Sequence, residues 1–515
     1  MPYILVRSKR RVIYCYKPLV TGEALLVYNG VVVAAGDYES LKKSLASEDY
    51  EVVESDSVLA PGFVDAHAHP DSLGYNLLLG GTITTGGLGS LLVRLRGESR
   101  SIAGWVIAPR VDPSKLEEGR MPYSWEIDAF IDDKPVLIQH ISGHMAALNK
   151  KGVELALSIL GSIGYGDLEK GWIYEDDLWR LLTHIRSSMS AGEISEALLL
   201  GLREFEAHGV TAVGAAGLSQ REIDVLLQLD SEGRLPIRVY GYVMYEKGLD
   251  ISRVEKLVEE TWSRPDRRFR VNGLKIILDG ALGPRTAFLS SDYNDAPGRR
   301  GFSSYNAEEL GSLLEEASRR GVQVAVHVIG DGALDTVLEA LKKTGNTLMR
   351  LEHVSLVRDD QLTELKKFKP ILVLQPRFII SDSWITQRLG WERASWVYRL
   401  RDLGEASITA YSTDAPVEPV NPFETIYAAL TRGSLDGIDY SIPTIRNSVT
   451  VLEALGHYTV DSAAALGDPR LGCLLPGCYA DIVELSENPI LWSDIVALRR
   501  IKARVLKLIK GDTES

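Results

Sequence analysis

Eight short β-rich runs, several of them separated by helix-length spacers, occupy residues 61–414 of this 515-residue chain. They cover 61–67, 209–214, 236–243, 272–279, 322–327, 349–353, 371–376 and 407–414, with helical spacers such as 308–320 and 331–343. Strands that alternate with helices predict a parallel sheet covered on both faces, and eight repeats predict closure into an α/β (β/α)8 TIM barrel.

The flanks have a different character. Residues 3–60 alternate apolar runs with turn residues, and Asn29-Gly30 between two such runs is a hairpin signal. Similar β-rich stretches return near the other end, at 472–484 and 501–509. Residues 1–60 and 470–515 are therefore expected to pair into a small β-sandwich, with the barrel spanning 61–110 and 185–469. About 140 residues separate His69 from Gly209, far more than a βα loop needs. An inserted subdomain after strand 1, over 111–184 and above the barrel mouth, accounts for the excess. The stretch Gly80–Ser90 reads as a flexible loop; it lacks the Gly-Lys-Ser/Thr ending of a phosphate cradle.

Composition narrows the function classes. A net charge of -13 argues against a nucleic-acid partner or an anionic membrane surface. No apolar run reaches membrane-spanning length, and only six residues precede the basic stretch at Arg7–Arg11, too few for a secretory leader. The expectation is a cytoplasmic protein acting on a small molecule, compatible with a homo-oligomer. Three cysteines, Cys15, Cys473 and Cys478, form no disulfide framework and read as buried thiols.

The chemistry begins at Asp65-Ala-His67-Ala-His69. Side chains two apart on a strand share a face, so both imidazoles can grip one ion at the strand's C-terminal end. His327, His353 and Asp414 close the fifth, sixth and eighth runs, and barrel strands bring their C-terminal ends to a common rim. Imidazole and carboxylate suit zinc and similar divalent metals. Lys275 lies inside the fourth run, where a buried ammonium is costly without a partner. Two readings stand: a neutral or carbamylated lysine beside one or two metal ions, or an ion pair with Asp279 or Asp414. Asp65 shares the histidine face and is expected to orient His67.

Together with Lys275–Ala287, Gly143–Asn149, His327–Asp331, Glu352-His353, Gln375-Pro376, Ser412–Val417 and Pro476–Val483, these motifs resemble the amidohydrolase superfamily in its amidohydrolase-3 branch. The resemblance implies that His67, His69 and Asp414 bind one metal, that His327 and His353 bind a second, and that Lys275 bridges. It also implies that Asp414 is the catalytic acid/base, and that His144, from the insertion motif, reaches the substrate. Arg285 either contacts substrate or ties down a loop. The implied activity is hydrolysis of an amide or formamide C–N bond of a small molecule by metal-activated water. Ring deamination or cyclic-amide hydrolysis on the same barrel is the alternative, and a non-catalytic scaffold fits less well because no expected ligand is lost. Asp279-Gly280-Ala281 and Ser412-Thr413-Asp414 depart from the branch's usual wording, so the pocket lining differs.

Overall fold

The computed structural model describes residues 2–46, 48–79, 86–98, 101–140, 142, 144–345, 348–492 and 494–508. Residues 80–85 of the glycine-rich stretch, and Gly143, lie outside these. The chain divides into two compact units, Met1–His69 with Arg203–Ser515, and Pro70–Leu202.

The first unit contains the barrel. Its parallel strands are β1 (Phe63–Ala68), β2 (Val210–Leu218), β3 (Arg238–Met244), β4 (Phe269–Ile277), β5 (Gln323–Val328), β6 (Met349–His353), β7 (Ile371–Leu374) and β8 (Thr409–Tyr411). Each falls on one of the eight runs, and they pair in sequence order from β1 to β8. All six residues of β1 and all five of β6 are buried, as expected of strands covered on both faces. Helices Gln220–Ser231, Ile251–Trp262, Ala307–Arg319, Asp331–Thr344 and Asp359–Phe368 follow β2 to β6 in turn. Ser219, Asp250 and Asn306 cap the first three through side-chain oxygens, which marks where each strand's loop becomes helix. Gly62, just before β1, has to lack a side chain: a Cβ there would lie within 2.3 Å of the Thr211 side chain.

The termini meet in one seven-stranded mixed sheet, the form taken by the expected sandwich. Strand Ile482–Leu485 pairs with Val58–Pro61, which leads directly into β1. The long strand Tyr3–Tyr16 pairs with both Tyr50–Ser55 and Val58–Pro61, and a register break between Arg7 and Val12 bends it. Its core joins Val12, Tyr14 and Leu25 from one end of the chain to Leu474 and Ile482 from the other. Cys15 and Cys473 are not the buried thiols expected of them. Cys15 and Cys473 form a disulfide across 458 residues of sequence, and only Cys478 is a free thiol. Pairing of the two terminal segments brings those sulfurs together, a proximity that sequence spacing cannot show.

The second unit is wider than 111–184, running from Pro70 to Leu202. Its six-stranded sheet alternates with period 2: Val106, Ala108, Val136 and Ile138 face one cluster, while Trp105, Ile107 and Leu137 face another. Helix Pro70–Leu78 meets helix Ala191–Ala207 at two glycines. A Cβ on Gly74 would lie 1.6 Å from the Ala197 carbonyl oxygen, and one on Gly201 would lie 2.0 Å from that of Pro70. With helix Leu88–Glu98 and strands Ser101–Ile102 and Trp105–Val111, these helices supply most of the residues by which the unit exceeds the expected insertion. Among the described residues, no helix is long and apolar enough to cross a membrane.

Candidate active site

His67 lies in β1 and His69 directly after it, with ring centroids 5.4 Å apart. Asp414 follows β8 by three residues and has a left-handed backbone, φ 57°. Its N–H donates to the His67 carbonyl at 2.9 Å. This turn brings Asp414 Oδ1 to 3.4 Å from His67 Nε2 and 3.1 Å from His69 Nε2. One ligand atom from each of the three residues lies within 4.8 Å of the other two.

Burial tests whether these residues fit a cation. His67 Nε2, Asp414 Oδ1 and Lys275 Nζ are all buried and without a hydrogen-bond partner. Leaving such groups unsatisfied costs about 1–3 kcal/mol each, more when charged. Two imidazoles and a carboxylate are also a donor set that zinc-like ions accept. The residues fit a divalent ion.

His353 and His327 lie beside this trio. The ring centroid of His353 is 5.0 Å from that of His67 and 4.4 Å from that of His327. Strand alternation would put Glu352 and His353 on opposite faces. A φ of 73° at His353 breaks the alternation, and both side chains reach the same cluster. Positive φ at a non-glycine residue is uncommon and gathers at functional sites. His353 Nδ1 donates to Gln375 Oε1 at 2.8 Å, and His327 Nε2 donates to the Gly280 carbonyl at 3.1 Å. Each ring keeps its other nitrogen free as a lone-pair donor. Burial, then the nearby Lys275 charge, brings His327 down to about 3, and burial with His327 holds His353 well below the usual imidazole range. Both are neutral near pH 7, the state a metal requires.

Lys275 is enclosed in β4, and burial lowers its ammonium to about 8 against the pull of Glu352 and Asp414. Burial would raise the Asp414 carboxyl, but the adjacent His67 and His69 imidazoles hold it well below the usual range. Asp414 is ionised at neutral pH.

The ring of His67 is oriented by Glu352, whose Oε2 lies 2.5 Å from Nδ1. Arg350 donates to Glu352 Oε1 at 2.6 Å and to the Ala66 carbonyl at 2.8 Å. Asp65 does not take the ring; it accepts from the N–H of His67 at 3.2 Å and from the hydroxyls of Thr413 and Tyr458. Asp279 accepts from the N–H groups of Phe288, Ile329 and Gly330, tying the loops after β4 and β5 together. Burial pushes its carboxyl up to about 7. Glu352 and Gln375 are the functional residues that the sequence motifs leave without a role. The signal for Glu352 is Arg350-Leu-Glu352, two charges at period 2 in a strand that is buried throughout.

The remaining candidates sit as follows. Arg285 forks onto Asp295, at 2.9 and 2.8 Å, and Arg388 joins the same carboxylate. His144 belongs to the second unit, where its Nδ1 lies 2.9 Å from Glu175 Oε2 and its ring 5.8 Å from that of Trp179.

Residues 55–504 match the Amidohydro_3 profile, described as an amidohydrolase family. The chain is 30% identical to YtcJ of Bacillus subtilis, named an amidohydrolase, over 91% of each sequence. It is 24% identical to the N-substituted formamide deformylase of Arthrobacter pascens, over 91% of this chain and 90% of that one. Among solved structures, a metal-dependent hydrolase from Pyrococcus horikoshii superposes with a TM-score of 0.82 at 31% identity, covering 95% of this chain and 98% of that one. This chain belongs to the Amidohydro_3 family of amidohydrolases.

Proposed function

We propose that the protein is a metal-dependent hydrolase cleaving the C–N bond of a small N-substituted amide, a formamide being the foremost candidate. One observation carries the reading: ligand atoms of His67, His69 and Asp414 converge within 4.8 Å, and two of them are buried without a partner. The family match and the metal-dependent relative support hydrolysis, and the formamide deformylase supports the bond type.

In this reading His67, His69 and Asp414 hold one ion, zinc by ligand type. His327 and His353 would hold a second, and Lys275, once carbamylated by carbon dioxide, would supply a carboxylate to the site. A divalent ion in such a site lowers the pKa of coordinated water toward about 7 and polarises a carbonyl. The residues do the rest. The Asp414 carboxylate, held ionised, takes the proton of the attacking water and passes it to the departing nitrogen. Glu352 keeps His67 in the tautomer that turns Nε2 inward, and Gln375 does the same for His353. His144 and Arg285 are the candidates for substrate contact.

Ring deamination draws no support from the loop after His327. Its nearest carboxylate in sequence, Asp331, accepts from the Ser290 N–H at 3.0 Å and from Arg358 at 3.0 Å. The test is metal analysis of protein purified without added ions, then assays of N-formyl, N-acyl and cyclic amides with and without chelator. Amide turnover lost to chelator and restored by zinc supports the proposal. Turnover indifferent to chelator, or protein that takes up no ion, rejects it.

A further inference from the structure

The barrel is closed at one place by something other than a β-ladder. Among the described residues no ladder pair joins β8 to β1, although these are the first and last strands of the ring. Asp65, completely buried in β1, takes the ladder's place. Its Oδ2 accepts from the Thr413 N–H at 3.1 Å, the Thr413 hydroxyl at 2.7 Å and the Tyr458 hydroxyl at 2.8 Å. Its Oδ1 accepts from the His67 N–H at 3.2 Å. Just above, Asp414 N–H donates to the His67 carbonyl at 2.9 Å, and His69 N–H donates to the Ala415 carbonyl at 2.8 Å.

The two sides of this seam carry the ligand set. His67 and His69 stand on one side and Asp414 on the other, with Oδ1 3.4 and 3.1 Å from the two Nε2 atoms. A ladder spreads its restraint over many residues, whereas here it rests on those two main-chain bonds and one carboxylate. A dry site strengthens each of these hydrogen bonds. Glu352, arriving from β6, turns the His67 ring but does not link the two sides of the seam.

We infer that Asp65 is a positioning residue: by clasping Thr413 and Tyr458 across the open seam, it sets the spacing between the His67/His69 pair and Asp414. The inference rests on the reading of those three side chains as one metal's ligands.

The test uses D65N together with a T413V and T413S pair. D65N keeps the size but turns one acceptor into a donor facing Thr413 and Tyr458. T413V removes the hydroxyl at nearly constant shape, and T413S restores it, so the pair decides the matter if D65N does not fold. Hydrogen exchange on metal-free protein reads the seam directly. Amides across 409–416 should exchange at least about tenfold faster in D65N and T413V than in wild type or T413S. Cobalt(II) titration reads the ligand spacing. D65N and T413V should bind cobalt about 10–100-fold more weakly, with an altered visible spectrum, and T413S should match wild type. Unchanged exchange, or unchanged cobalt affinity and spectrum, overturns the inference even if the variants melt earlier. Wild-type protein that takes up no cobalt defeats the metal reading instead, and exchange across 409–416 then decides the clasp alone.

Discussion

Glu352 Oε2 lies 2.5 Å from His67 Nδ1, and both side chains are buried. Burial alone would raise this carboxyl. Arg350, His67 and Lys275 together pull it well below the ordinary carboxylate range, so it is an anion inside the barrel. E352Q should bind zinc about 10–100-fold more weakly, because the amide orients the imidazole without its charge. Competition against a chromogenic chelator measures this, and wild-type affinity would remove Glu352 from the metal's support. E352A leaves Arg350 buried without its carboxylate, for which about 3–5 kcal/mol of stability should be lost in denaturant titration.

Asp414→Asn separates chemistry from folding. The amide can still sit near both imidazoles but cannot accept the proton from water. Turnover should fall by about a hundredfold to ten-thousandfold or more. The circular dichroism spectrum should stay that of wild type. Near-normal rates would reject proton transfer through this residue.

Lys275 makes the metal-free protein sensitive to alkaline pH. Its folded pKa of about 8 lies below the ordinary 10.5 because burial disfavours the charge. Between those values the unfolded chain binds more protons, so this residue's contribution to stability grows as pH rises through the window and shrinks as it falls. K275M should flatten the rise and be the more stable protein at pH 7 when no metal is present. Parallel stability curves for the two proteins between pH 8 and 10.5 would show that Lys275 is charged or paired otherwise.

How much of this was legible beforehand differs by residue. The eight strands were, because each is a short buried run whose apolar character survives without context. His67, His69, His327, His353 and Asp414 were also legible, since they sit at the ends of those runs. Glu352 was obscured by the alternation rule, which puts it on the face opposite His353; only the backbone turn at His353 brings both to one place. Asp65 meets His67 at its N–H rather than its ring, and the ring belongs to Glu352, which is 285 residues away in sequence. The Cys15–Cys473 bond depends on a terminal pairing that no local pattern encodes.

In the second unit, the contact between helices Pro70–Leu78 and Ala191–Ala207 leaves no room at Gly74. G74A should destabilise that unit by about 1–3 kcal/mol, since the added methyl meets backbone that cannot swing aside. Limited proteolysis should find cleavage within 70–202 at lower protease concentration than in wild type. Equal resistance would mean that the helices separate easily.

The pairing of Ile482–Leu485 with Val58–Pro61 has a consequence for synthesis on the ribosome. The strand bearing His67 and His69 emerges early, yet the segment just before it gains its second neighbour only when residue 485 has left the exit tunnel. Until then the edge of Val58–Pro61 is open to foreign strands. Nascent chains stalled before residue 482 should therefore be those that chaperones hold and that aggregate when chaperones are withdrawn.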